Sequence, residues 1–287
     1  MPQTLDEAPS SAAEIERGRS FLYVPADDSR KLASADRSSA DVVVADLEDA
    51  VTPARKDVAR SELARFAAGR SGVMPLLVRV NSVSSGLIAD DLQLVRSLPL
   101  AGLVLPKAHV EDLDRLAGNR LPVLAMVEDA RGIREAGAIG SDYQVVRLGL
   151  GGVDLSTELG LRRLPDGLEL VYARSSLVLD SALARLPPPV DSPFVDYRDQ
   201  TGLAHEAELV RALGFGGKAC IHPAQLEGVA HAFSPSSDEI QWASDVVRAF
   251  ESEPDRGVTS HQGSMIDAPV VARARALLSQ IERRETE

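Results

Sequence analysis

A single cysteine, Cys220, stands among 287 residues. No intramolecular disulfide can form, which fits a reducing cytoplasm. Aromatic residues make up only 4% of the chain, so there is little platform for stacking nucleic-acid bases. No apolar run approaches the ~18–20 residues of a membrane-spanning helix. The stretch from Met1 to Ser11 lacks a basic start and an apolar middle, so it does not read as a signal peptide. Positive charge is also short: 31 Lys and Arg against 43 Asp and Glu leave a net charge of -12. That balance argues against nucleic acid or an anionic membrane as a partner. An anionic substrate would need the sign reversed locally by a metal, an Arg or a Lys.

What is present is a strand–helix alternation in a chain that is 44% hydrophobic. Eight apolar, β-type runs are readable: 21–25, 41–47, 76–80, 102–106, 122–127, 145–150, 192–196 and 217–223. Helical periodicity separates them, as in 168–186, 204–213 and 55–68, the last with Val58, Leu63 and Phe66 on one side. Alternation of this kind implies parallel strands with right-handed crossovers, and eight repeats are the count that closes a (β/α)8 TIM barrel. An open doubly wound sheet would place a Gly-rich turn after its first strand. Here that position reads Pro25-Ala-Asp-Asp28, without glycine. The expected organisation is a polar, disordered tail over 1–18, the barrel over 19–232, and a C-terminal helical extension over 233–287. In the extension Ser236 to Glu239 reads as a helix start, a turn follows at Glu253-Pro254, and the polar stretch 258–267 reads as a lid or an arm to a neighbouring subunit.

In such a barrel the chemistry sits at the C-terminal ends of the strands. Those ends carry Asp46 and Glu48, Arg79 and Asn81, Lys107, Glu128, Asp154, Asp196 and His222, whereas the opposite ends carry small and apolar residues. Glu128 and Asp154 close two successive strands about 4.8 Å apart, so they can share one ion. Two carboxylates with open positions for water and substrate are how Mg2+ is usually held. Asp is also a favoured helix N-cap, which offers Asp154 a plain structural role. Arg79 lies within Leu76-Leu-Val-Arg-Val-Asn81. A half-buried guanidinium there needs a carboxylate, either the substrate's or that of Asp46 or Glu48. For Lys107 the first reading is a structural ion pair, with substrate binding as the functional one. The glycines of Gly149-Leu-Gly-Gly152 read as room for a ligand or a phosphate. The five histidines show no metal-ligand spacing.

These residues fall within strings that resemble the HpcH/HpaI aldolase/citrate lyase superfamily, in its citrate lyase β-subunit-like branch. The strings are Arg19-Ser-Phe-Leu-Tyr-Val-Pro-Ala, Asp46-Leu-Glu-Asp-Ala-Val, Val78-Arg-Val-Asn, Leu105-Pro-Lys, Val127-Glu-Asp-Ala-Arg-Gly, Gly152-Val-Asp-Leu, Gly217-Lys-Ala-Cys-Ile-His-Pro-Ala-Gln and Met265-Ile-Asp-Ala-Pro. The resemblance implies Mg2+ on Glu128 and Asp154, Arg79 holding the carboxylate of a 2-oxo acid, and Glu48 supporting that site. It implies trimers or hexamers in which Asp267 reaches a neighbour's site and moves a proton. Backbone N–H groups of Gly152 and Val153 and the ammonium of Lys107 would add substrate contacts. Three positions depart from the family pattern, among them Ser264 before Met265, where a basic residue is common. Asp129 replaces the usual Thr beside Glu128, and Asp28 stands where many relatives have Arg.

The activity implied is Mg2+-dependent cleavage or formation of a 3-hydroxy-dicarboxylic acyl-CoA thioester such as malyl-, citramalyl- or citryl-CoA. The partners are then a 2-oxo acid and a CoA thioester. The alternatives are a citrate lyase-type β-subunit that works with an acyl-carrier protein, and a malate synthase or thioesterase variant on the same site.

Overall fold

The computed structural model describes residues 11–70, 74–164, 167–252 and 257–285. The first ten residues of the expected tail and the turn at 253–256 lie outside them. Two compact units result, one ending at Phe233 and one beginning at Ser234.

The first unit is a closed barrel of eight parallel strands, each paired with the next and β8 returning to β1. The strands are β1 (Ser20–Pro25), β2 (Val42–Asp46), β3 (Leu76–Arg79), β4 (Gly102–Leu105), β5 (Val123–Val127), β6 (Val145–Leu150), β7 (Val190–Asp191) and β8 (Gly217–Cys220). Its helices are α1 (Ser11–Arg17), α2 (Ser29–Ala35), α3 (Lys56–Gly69), α4 (Ile88–Val95), α5 (Val110–Leu113), α6 (Ala130–Gly140), α7 (Gly152–Glu158), α8 (Val171–Leu183), α9 (Gln200–Leu213) and α10 (Leu226–Ala232). Alternation along the strands makes two cores. Phe21, Val42, Val44, Leu77, Val104, Leu124, Met126 and Val190 fill the interior. Leu22, Val43, Val78, Leu103, Ala125 and Leu148 face the helix ring. A strand apolar on both faces is what a parallel barrel demands, and it is why the continuous Val and Leu runs were readable.

Three expectations are corrected here. Strand β7 is not 192–196 but the two residues Val190–Asp191. Pro193 cannot donate a ladder hydrogen bond, so the run that looked like a strand is the loop beyond it. Val58 is exposed, and α3 buries Ala59, Leu63 and Ala67 instead. Within the expected tail, Ser11–Arg17 is helical and Ile15 is fully buried in the barrel interior.

Arg147 on β6 explains that last point. It is 1% exposed and donates to the carbonyls of Ile15 (2.8 Å), Gly18 (2.6 Å) and Pro188 (2.8 Å). It thereby ties the segment before β1 to the barrel's N-terminal end. A second buried cluster fixes β7 and β8 to their helices. Asp191 accepts from Lys218 at 2.5 Å and from Arg174 at 3.0 Å, and Lys218 also reaches Glu206 at 2.7 Å. Burial alone would raise the Asp191 pKa, but Lys218 and Arg174 hold it below the usual carboxylate range. Both clusters are structural.

The second unit contains α11 (Ser237–Glu251), β9 (Thr259–His261), β10 (Ser264–Ile266) and α12 (Ala268–Glu285). Ser236 and Glu239 form a reciprocal capping box at the start of α11. The polar stretch 258–267 is an antiparallel hairpin. Its turn residues Gln262 and Gly263 have φ of 50° and 80°, the left-handed pair of a tight hairpin turn. Ala243, Val246, Ile266, Val271 and Ala274 form its core.

Candidate active site

β2 ends at Asp46, whose register partner is Arg79 on β3. The Asp46 carboxylate accepts from Arg79 Nε at 2.9 Å and from Nη2 at 2.5 Å. This is the two-pronged match that guanidinium and carboxylate share. Asp46 also accepts from the backbone N–H groups of Glu48 (2.8 Å) and Ala50 (3.1 Å). That turn folds Glu48 back over the strand end, with its Oε2 3.3 Å from Arg79 Nη1. Burial alone would lower the Arg79 pKa, but Asp46 above all holds it far above the ordinary value. The internal partner of Arg79 is therefore real, and the guanidinium still has donors beyond those Asp46 takes.

Lys107 follows β4 with φ of 48°. That left-handed conformation costs a non-glycine residue about 1–2 kcal/mol, and such strain collects at functional sites. Here it accompanies an ammonium set among four carboxylates. Its Nζ lies 2.8 Å from Glu48, 3.7 Å from Asp49, and 3.8 Å from both Glu128 and Asp154. Burial would lower the Lys107 pKa, but Glu48 first, then Glu128 and Asp49, raise it and keep it charged. The structural ion pair with Glu48 exists, and the same ammonium stands between the two acids expected to share an ion.

Glu128 comes directly after β5 and is 3% exposed. Its Oε2 has no hydrogen-bond partner among the described residues. Burial, reinforced by Glu48, pushes its carboxyl up to about 8 against the pull of Arg79 and Lys107. The Lys107 ammonium faces that oxygen at 3.8 Å, beyond hydrogen-bond reach, so the oxygen keeps lone pairs for a metal ion. Asp154 does not cap a helix: Gly151 holds the N-cap position of α7 and Asp154 lies inside its first turn. Its side chain is 43% exposed, open to solvent and to a ligand. Among the described residues no group of three His, Cys, Asp or Glu is arranged to hold a metal. Two carboxylates completed by water and substrate suit a hard divalent cation with that inventory.

The glycine cluster makes room for the chain's own side chains. A Cβ on Gly151 would lie 2.4 Å from Glu128 Cγ and 2.8 Å from its Oε1. One on Gly149 would meet Met126 Sδ at 2.5 Å, and one on Gly152 would meet Ser192 Oγ at 2.7 Å. Gly151→Ala is therefore expected to displace Glu128 and weaken divalent-cation binding by about 10–100-fold, the usual scale for a lost orienting contact; calorimetric titration of Mg2+ checks it. Gly152 and Val153 open α7, and the first N–H to bond back is that of Leu155, to the Gly151 carbonyl. Their own N–H groups have no intrahelical acceptor.

Two of the departures from the family pattern, Asp129 and Asp28, are helix caps. Asp129 accepts from Gly132 N–H at 2.6 Å and pairs with His109 Nε2 at 2.9 Å. The Gly132 N–H and His109 outweigh burial and hold its carboxyl below the ordinary range. It is committed to the start of α6 and adds no free charge beside Glu128. Asp28 accepts from the Arg30 and Lys31 N–H groups at the start of α2. His222 also caps, accepting from Ala224 N–H at 3.1 Å. Asp267 belongs to the second unit, where it accepts from Val270 N–H at 3.2 Å. The structure thus brings Glu48, Arg79, Lys107, Glu128 and Asp154 together in the barrel, while Asp267 stands in the other unit. Tyr23 joins the barrel group unforeseen: the Arg79 guanidinium lies 5.1 Å from its ring centre. The signal for it was a lone hydroxyl at an inward strand position.

Comparison with known proteins gives a consistent picture. The HpcH/HpaI aldolase/citrate lyase family model matches residues 19–223. A citrate lyase subunit beta-like protein of Deinococcus radiodurans is 35% identical, over 91% of this chain and 96% of its own. Human mitochondrial citramalyl-CoA lyase is 32% identical, over 89% and 83%. A (3S)-malyl-CoA thioesterase of Cereibacter sphaeroides is 35% identical, over 92% and 94%. Among solved structures, CitE of Mycobacterium tuberculosis in complex with magnesium, acetoacetate and coenzyme A superposes with a TM-score of 0.80. It shares 33% identity and covers 92% of this chain and 98% of its own.

Proposed function

The chain belongs to the HpcH/HpaI aldolase/citrate lyase family, and from that premise we propose that it is a Mg2+-dependent lyase that cleaves or forms a 3-hydroxy-dicarboxylic acyl-CoA thioester. The observation that carries this reading is the placement, at one barrel end, of Glu128, whose Oε2 accepts no hydrogen bond, and Asp154 beside an Arg79 held by two buried acids. The magnesium, acetoacetate and coenzyme A bound by the M. tuberculosis protein support it, as does the lyase activity named for the human relative.

Glu128 and Asp154 would hold the ion. When bound, Mg2+ supplies a template and Lewis acidity toward the oxygens of a 2-oxo acid. Arg79 would take the acid's carboxylate, and the N–H groups of Gly152 and Val153 would add donors. Glu48 keeps Arg79 and Lys107 in place, and the Lys107 charge offsets the acids around an anionic substrate. In cleavage a base takes the hydroxyl proton, the O–H electron pair forms the carbonyl of the 2-oxo acid, and the carbon–carbon bond breaks. Its electron pair passes to the thioester half as an enolate, which then takes a proton at carbon. Asp267 of a neighbouring subunit, in a trimer or hexamer, would exchange that proton. The thioesterase relative favours one second reading, hydrolysis of the thioester on the same site.

Malyl-, citramalyl- and citryl-CoA supplied with Mg2+ separate these readings. A lyase releases glyoxylate, pyruvate or oxaloacetate without free thiol, whereas a thioesterase releases thiol. Full turnover of free CoA thioesters excludes a need for an acyl-carrier protein. Absence of product from every thioester overturns the proposal.

The metal site is also expected to be proton-linked. A ligand must be ionised, whereas burial keeps the Glu128 carboxyl protonated up to about pH 8 in the metal-free protein. Mg2+ binding then releases a proton, and its affinity falls roughly tenfold per pH unit below 8. Calorimetry in buffers of different ionisation enthalpy measures both.

A further inference from the structure

Tyr23 occupies the inward face of β1, one inward position before Pro25, whose register partner is Asp46. The interior around it is otherwise apolar: Phe21, Val44, Leu77, Val104 and Met126. Its ring stacks against the Arg79 guanidinium at 5.1 Å. Its hydroxyl reaches across the barrel to Met126 Sδ at 3.8 Å. Met126 lies two residues before Glu128, so the hydroxyl sits just beneath the acid expected to hold the ion. A thioether is a weak acceptor, and among the described residues it is the only hydrogen-bond contact the phenol makes. A buried tyrosine hydroxyl ordinarily finds a real acceptor. Tyr23 as a whole residue is only partly buried. Burial outweighs Arg79 and, with Glu128, Asp46 and Glu48, raises its pKa, leaving a neutral donor throughout the physiological range.

We infer that Tyr23 is a substrate-positioning residue whose hydroxyl donates to an oxygen of the anionic group held by Arg79, while its ring supports the guanidinium. The inference rests on the proposed function and deepens it. Arg79 supplies charge and Tyr23 supplies a fixed neutral donor on the floor, so the pair recognises a small 2-oxo acid that enters carboxylate first. If the residue merely fills the interior, the hydroxyl is dispensable, because Phe fills the same space.

Tyr23→Phe removes the hydroxyl and keeps the ring over which Arg79 lies. With saturating Mg2+, calorimetric titration of pyruvate, glyoxylate and oxaloacetate should show at least one of them bound by the wild type and bound about tenfold more weakly by the variant. Tenfold is the scale of one hydrogen bond to a charged group. KM should rise more than kcat falls, and Mg2+ affinity without the acid and the melting temperature should stay unchanged. Met126→Leu, which removes only the sulfur contact, should bind the acid as the wild type does. Equal acid affinity in Tyr23→Phe and wild type would overturn the inference, as would an equal loss in Met126→Leu, which would make the effect one of packing. If the wild type binds none of the three acids, the functional reading itself falls and this inference with it.

Discussion

Glu128→Gln is expected to lower kcat/KM by about a thousandfold while leaving the metal-free fold as stable as before or more so. The two effects have opposite signs because they come from different properties of one side chain. A ligand that helps a metal stabilise transition-state charge contributes several kcal/mol, and about 4 kcal/mol is a factor of a thousand. For stability the carboxylate is a burden. It is 3% exposed, one oxygen accepts no hydrogen bond, and burial and Glu48 push its carboxyl up to about 8. The native state therefore binds a proton that the unfolded state has already released. Metal-free wild type then loses stability as pH rises from about 4.5 to about 8, the window between unfolded and folded pKa values. Glutamine carries no such proton, so the variant lacks this loss. Thermal melts in chelator between about pH 5 and 9, beside steady-state kinetics, measure both. A variant that lost stability and activity together would mark Glu128 as a structural acid.

Arg79→Lys should reduce kcat/KM about a hundredfold and also destabilise the barrel, by about 2 kcal/mol. Lysine keeps the charge but not the fork. It cannot satisfy both oxygens of Asp46, which is 1% exposed, and also reach Glu48. Losing good partners for buried acids costs stability on the scale of a charged hydrogen bond. Asp46 retains its two backbone donors, which limits the loss. The expected functional loss has a separate origin in the proposed two-point match to a substrate carboxylate and should appear mainly in KM. Chemical denaturation and saturation kinetics separate the two effects. If activity falls no further than the lost stability explains, Arg79 serves Asp46 and Glu48 alone.

Much of this site was legible because charge accumulates at one end of the strands. Aliphatic strands ending in Asp46, Arg79, Lys107, Glu128 and Asp154 have one fold that gathers those ends, and the barrel does gather them. The pairing of Arg79 with Asp46 was one of two open readings, since spacing cannot decide which acid a long side chain meets. β7 was misplaced because a two-residue strand leaves no periodicity to detect. The glycines before Asp154 suggest room for a ligand or a phosphate, whereas the contacts they permit are with Glu128, Met126 and Ser192. That distinction depends on side-chain packing across strands, which no local pattern encodes. Asp129 carries the same lesson, since only the formed start of α6 and the nearby His109 show that its charge is already spoken for. Arg147 and Tyr23 look like ordinary strand residues until alternation sends them inward. There one ties down the barrel's N-terminal end and the other joins the site.

Glu128 and Asp154 are proposed to hold one Mg2+ together. Calorimetric titration of Mg2+ into metal-free wild type and into Asp154→Asn tests it most directly, because Asp154 is half-exposed and its loss should leave the fold intact. One saturable site per wild-type chain is expected, tightened by a 2-oxo acid, and no saturable site in the variant. Binding of equal strength and stoichiometry in the two proteins would contradict it.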